Sequence, residues 1–123
     1  MGSLRSFAPA LAPGPAAAAL GALHITSGPL KGKQYPIPTS GLLIGRDPQK
    51  CFIVLPGENV GREHAWVMPM ENGRDVAVID RGSANGTYVN STSTERIKKA
   101  MLHNGDKIFI CRDNSTEIVY YRS

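Results

Sequence analysis

At 123 residues the chain has room for one domain, which at this length buries about two-thirds of the surface its unfolded form exposes. Fourteen Lys and Arg against ten Asp and Glu give a net charge of +4, and no acid precedes Asp47. With 41% hydrophobic and 20% charged residues the composition is globular, which excludes a wholly disordered chain, and no apolar run approaches the ~20 residues of a membrane-spanning helix.

Residues 1–20 open the chain with a biased stretch, MGSLRSFAPALAPGPAAAAL, that holds seven Ala, one Arg and no acid. Pro9, Pro13 and Pro15 interrupt any helix there, so a flexible, disordered Ala/Pro-rich tail is expected over 1–21. Gly2 and Ser6 fit the M-G-x-x-x-[ST] myristoylation pattern. The acid-free start also suits an organelle transit peptide, so a chloroplast address stands beside a cytoplasmic or nuclear one.

From Ala22 the texture changes to short β-favouring runs separated by Gly, Pro and Asn-Gly. The runs are Leu23–Thr26, Lys33–Ile37, Leu42–Gly45, Phe52–Leu55, His64–Met68, Asp75–Ile79, Thr87–Val89, Lys107–Cys111 and Glu117–Tyr121. No window carries a helical apolar period, and strands at this spacing predict an all-β sandwich or barrel. Asn72-Gly73 and Asn104-Gly105 are expected to turn β-hairpins, and Gly28 to Gln34 to turn the first one. Residues 91–103 read as a loop.

Several apparent sites lack the chemistry. Gly28 to Gln34 is one residue short of a P-loop, has Gln34 where the magnesium-binding hydroxyl belongs, and precedes no helix. Ser83 in GSANG is not a nucleophile elbow, and His24, His64 and His103 have no metal-ligand spacing. Cys51 and Cys111 are too few for a zinc site and too far apart for C-x-x-C chemistry, and read as two half-buried thiols of a reducing compartment. The chain is therefore expected to be no enzyme and to hold no metal or cofactor.

Three segments in strand-end loops remain: Gly45-Arg46, Gly61-Arg62-Glu63-His64, and Asp80 to Asn90, DRGSANGTYVN. Arg46 offers a planar, permanent charge suited to a phosphate, Arg62 a second cation, and Asn85 a donor and an acceptor for a peptide main chain. Gly45 and Gly86 allow tight backbone. Together with TSGPLKGKQYPI, LLIGRD, VGREHAWV and LHNGDKIFI, these segments resemble, over 22–123, the forkhead-associated (FHA) domain family. The resemblance implies an eleven-stranded β-sandwich of FHA/SMAD-like type that binds phosphothreonine peptides through loops at one end.

Carried over position by position, the resemblance makes Arg46 the phosphate-binding arginine, His64 the buttressing histidine of S-x-x-H, Asn85 the holder of the peptide main chain, and Gly86 the second residue of the N-G pair. Two departures follow: Gly61 replaces the serine of S-x-x-H, and Ala84 stands where Ser or Thr is common. The backbone N–H of Gly61, with Arg62, is expected to compensate, and Lys50, Arg81 and Arg112 are further cations of unknown facing. The loop Pro56 to Asn59 is expected to help choose residues after the phosphothreonine, Glu58 disfavouring acidic ones.

The leading expectation is thus a phosphothreonine-dependent adaptor whose partner is a phosphothreonine-containing protein. The alternative is a phospho-independent FHA scaffold with a degenerate phosphate site. A nucleic-acid-binding barrel, suggested by the basic charge, needs aromatic stacking platforms, and aromatics are only 7% here. No nucleic-acid partner is therefore expected, and the oligomeric state is left open.

Overall fold

The computed structural model describes residues 20–93, 95–112 and 116–122. Residues 1–19 of the expected 1–21 tail, with the Gly2 motif, lie outside the described residues; of the remaining two, Leu20 packs against the core and Gly21 O accepts from Ile37 N at 3.0 Å. Ten strands form: β1 (Ala22–Ser27), β2 (Gln34–Pro36), β3 (Leu42–Gly45), β4 (Ile53–Val54), β5 (Ala65–Pro69), β6 (Val76–Asp80), β7 (Thr87–Val89), β8 (Lys99–Leu102), β9 (Lys107–Ile110) and β10 (Thr116–Tyr121). They make two five-stranded sheets, ordered β2-β1-β10-β9-β7 and β4-β3-β5-β6-β8.

Alternation of apolar and polar residues sets which face each strand buries. In the first sheet Leu23 and Ile25 of β1 stand opposite Tyr120 and Ile118 of β10, and Ile118 opposite Ile108 of β9. In the second, Leu42 of β3 faces Val67 of β5, which faces Val78 of β6. These side chains meet between the sheets in one buried cluster with Ile44, Ile53, Leu55 and Ile110. Each such burial is worth about 1.5–3 kcal/mol before chain entropy is charged against it.

The fold differs from the sequence expectation in three places. There are ten described strands, not eleven. Ile97 and Lys98 reach Thr87 and Asp80 only through single backbone bonds, too little pairing to add a strand. The 91–103 stretch, read as loop, contains β8, which pairs with β6 from Val76↔Leu102 to Ile79↔Lys99. Asn104-Gly105 does turn the chain, Gly105 taking φ 89°, but it links β8 to β9, which belong to different sheets, so it makes no hairpin. Gly105 N instead donates to Tyr120 O at 2.7 Å and Asp106 caps the turn by accepting from His103 N at 2.8 Å. The hairpins at Gly28 to Gln34 and at Asn72-Gly73 form as expected, joining β1 to β2 and β5 to β6.

Candidate functional site

The β3–β4, β4–β5 and β6–β7 loops gather at one end of the sandwich. Gly45 closes β3 against the second of them, and a Cβ there would collide with the backbone of Arg62 and lie 2.8 Å from Cys51 Sγ. The first two loops are laced together by Arg46 N to Gly61 O at 2.9 Å and Asp47 N to Arg62 O at 3.2 Å. The geometry thus places Arg46 beside Gly61 and Arg62 because no side chain intervenes at 45.

Arg46 is exposed, and its Nε donates to Val60 O at 3.0 Å, which fixes the plane of the guanidinium. Its terminal nitrogens, and the whole guanidinium of the exposed Arg62, have no hydrogen-bond or ion-pair partner among the described residues. Both arginines line one cleft of about 250 Å³ with Asp47 and Pro48. Asp47 turns its carboxylate to its own loop, accepting from Gln49 N at 2.9 Å. The free terminal nitrogens of Arg46 and the guanidinium of Arg62, on one cleft, are chemically able to receive an anion with several acceptor oxygens.

His64 joins this pair of loops to the third. It is fully buried, Nδ1 accepts from Gly61 N at 2.9 Å, and Nε2 lies 2.8 Å from Gly86 O. The first bond makes Nδ1 an acceptor, so the proton sits on Nε2 and is donated to Gly86. Burial lowers the His64 pKa, against the opposing pull of the Gly86 carbonyl and Asp80. The Gly61 N–H expected to help hold a phosphate is therefore already given to His64. With no hydroxyl at 61 or 84, the cleft's donors are the arginines.

The β6–β7 loop is built around Asp80. Its carboxylate accepts from Ser83 Oγ at 2.6 Å, Thr87 Oγ1 at 2.7 Å, and the backbone N–H groups of Gly82 and Ser83, both at 3.0 Å. Burial raises the Asp80 pKa, but these four bonds outweigh it and hold the carboxyl below its ordinary range. Ser83 Oγ also accepts from Gly86 N at 3.0 Å, which makes this hydroxyl part of the loop's scaffold. Gly86 takes φ 88°, and a Cβ there would meet Tyr88 Oη at 2.8 Å. Exposed at the tip, Ala84 and Asn85 stand over this scaffold. Asn85 Nδ2 donates to Asn59 O at 2.9 Å, which ties it to the Pro56 to Asn59 loop and leaves its Oδ1 outward.

Sequence reading missed Arg96, whose Nη1 and Nη2 donate to Ser83 O and Ala84 O, each at 2.7 Å. It names no motif, because its partners are main-chain carbonyls. Of the cations whose facing was unknown, Arg112 lines a small cleft of about 160 Å³ with Asn59, Asn85 and Cys111, its guanidinium 4.8 Å over the Tyr88 ring. Lys50 and Arg81 go elsewhere: both pair with Glu63, at 3.4 and 3.7 Å, beside Trp66. Cys51 and Cys111 are both buried, their Sγ atoms donating to Arg62 O and Asn59 O at 2.9 and 3.1 Å.

Comparison with known proteins agrees with this architecture. Residues 42–111 match the family model of the FHA domain. The chain is 46% identical over 57 residues, 46% of its length and 14% of the relative's, to a protein phosphatase 1 regulatory inhibitor subunit PPP1R8 homolog from Arabidopsis thaliana. It is 36% identical over 88 residues, 72% of its length and 52% of the relative's, to the glycogen accumulation regulator GarA of Mycolicibacterium smegmatis. The chain spans about half or less of the length of these relatives. Among solved structures, Mycobacterium tuberculosis EmbR in complex with a low-affinity phosphopeptide superposes with a TM-score of 0.69 at 32% identity, over 85% of this chain and 25% of that one. An FHA domain solved in a study of phosphothreonine-dependent interactions gives 0.69 at 26% identity, over 84% and 96%. The matched residues, the two-sheet sandwich and these likenesses together establish that the chain belongs to the FHA domain family.

Proposed function

We propose that this domain, taken as residues 22–123 behind a separate N-terminal tail, is a non-catalytic module that binds an extended phosphothreonine peptide of a partner protein. The observation that carries the reading is that the terminal nitrogens of Arg46 and the guanidinium of Arg62, all without partners among the described residues, line one cleft. Membership of the FHA family, and the phosphopeptide held by EmbR, support the same ligand class. Arg46 takes the phosphate, and its Nε bond to Val60 O spares the terminal nitrogens for a two-point contact. Arg62 adds charge where the serine hydroxyl is missing. Asn85, steadied by Asn59, offers Oδ1 to a peptide N–H, and the adjoining Arg112 cleft receives a residue beyond the phosphothreonine. Gly45, His64 and Gly86 hold the loops in register, and Ala84 lies against the peptide without a polar contact.

One observation favours the alternative, a phospho-independent scaffold: the Gly61 N–H is committed to His64 and neither 61 nor 84 carries a hydroxyl. Gly61→Ser separates the two readings. The nearest atoms to a Cβ at 61 would be those of His64, at 3.4 Å or more, an ordinary contact, so the serine fits. A phosphothreonine peptide library screened against both forms is expected to select the same sequences, the serine form binding about tenfold tighter through one added hydrogen bond to a charged group. Phosphopeptide binding by the serine form alone supports the scaffold.

A further inference from the structure

Antiparallel sandwiches alternate inward apolar with outward polar residues. The first sheet mixes the two on its outer face, where Gln34, His24, Lys107 and Glu117 stand in register with Val119, Phe109 and Tyr88. The outer face of the second sheet is more uniformly apolar. Its outward rows run Leu43, Trp66, Ile79, Lys99 and Met68, Ala77, Met101 across β3, β5, β6 and β8. None of these six apolar residues belongs to the core cluster between the sheets. Ala77 is fully covered, Leu43, Trp66, Met68 and Ile79 are half-buried, and Met101 is 42% exposed, while Phe52, in the loop beside this face, is 54% exposed. Contiguous exposed apolar side chains with a charged rim mark a contact site for another molecule.

The rim decides which molecule. Arg81 stacks over Trp66 at 5.2 Å, Lys50 lines the same cleft, and Lys99 ends the row beyond Ile79. Glu63 is shared by Lys50 and Arg81, and Asp75, two residues before Ala77, pairs with a fourth cation, Arg122, so the rim keeps an excess of positive charge. We propose that this face is a second docking surface, for a segment of a separate protein that presents aliphatic or aromatic side chains flanked by carboxylates. A second copy of the chain would bring the same cations against one another, and residues 1–19 carry Arg5 and no acid, so neither complements the rim. The Trp66 cleft and the Arg46 cleft share no lining residue, so one molecule can be occupied at both.

The test is selection of a phage-displayed library of short unphosphorylated random peptides on the whole chain, followed by affinity measurement on the enriched sequences. They are expected to combine apolar side chains with Asp or Glu, to shift the amide resonances of β3, β5 and β6, and to weaken at least about tenfold on Met101→Lys and on Arg81→Glu. Met101 is a surface position, and an unchanged circular dichroism spectrum and thermal midpoint confirm that its variant folds. The proposal is overturned if nothing is enriched, or if binding withstands both substitutions. It is equally overturned if the wild-type chain sediments as a dimer that Met101→Lys dissociates, or if it binds phosphatidylserine vesicles and loses them in that variant.

Discussion

Replacing His64 with Leu removes a buried side chain that joins the β4–β5 loop to the β6–β7 loop while keeping its position filled. The ring is fully buried, takes a proton bond from Gly61 N at 2.9 Å and gives one to Gly86 O at 2.8 Å. Leucine occupies the space but offers neither function, so the buried Gly86 carbonyl loses its partner at about 1–3 kcal/mol, while the half-buried Gly61 N–H can turn to water and adds about 1 kcal/mol or less. The expected loss is therefore about 1–4 kcal/mol, a sizeable share of the 5–15 kcal/mol typical of a domain. Urea unfolding at pH 7.5 reads it as a lower midpoint with an unchanged slope. The same bond predicts a pH signature. Burial lowers the His64 pKa from 6.5 in the fold, so below pH 6.5 the unfolded chain binds a proton that the folded chain resists. Wild-type stability is then constant above that window and falls as pH drops through it, while His64→Leu lacks this decline and the two curves converge. A loss under about 1 kcal/mol at pH 7.5, or parallel pH profiles, refutes the reasoning.

Gly86→Ala is expected to destabilise by about 1–3 kcal/mol, since φ 88° is strained for alanine and its Cβ would press on Tyr88. Gly82→Ala, at φ 78° with open space around it, isolates the backbone part, and chemical unfolding of the pair reads the difference. Arg96→Ala frees the Ser83 and Ala84 carbonyls and loosens the loop that carries Asn85, so phosphopeptide affinity measured by fluorescence anisotropy is expected to fall about three- to tenfold. Arg96→Lys, which can keep only one of the two bonds, is expected to fall between.

Much of this molecule is legible in its sequence because the relevant signals are local. Each of the nine β-favouring runs overlaps a strand, and the Gly, Pro and Asn-Gly punctuation separates them. β8 escaped because Lys99-Ala-Met-Leu102 has no inward-outward alternation of polarity: its outward Met101 is apolar, on a face where apolar residues are the rule. Asn104-Gly105 shows the converse. Its residues specify a left-handed turn but not which sheet receives the next strand, and that choice belongs to tertiary packing.

At the loop end, Arg46, His64 and Asn85 stand out because short motifs carry them. What the motifs omit is who satisfies whom. The orientation of the buried His64 ring consumes the Gly61 N–H, a single carboxylate on Glu63 draws Lys50 and Arg81 away from the arginine cleft, and Arg96 reaches carbonyls more than ten residues earlier. Such pairings depend on distances across the fold, which spacing along the chain does not encode.

The opening charge of +4 acquires a location through these contacts. Glu63 neutralises part of it on the side of the second sheet, while Arg46 and Arg62 keep theirs at the loop end. The most direct test is titration calorimetry of one phosphothreonine peptide and its unphosphorylated form into the wild-type chain and Arg46→Ala. Binding of the phosphorylated peptide alone, abolished by Arg46→Ala, is the expected result. Equal binding of both peptides, or phosphopeptide binding that survives Arg46→Ala, would contradict the account.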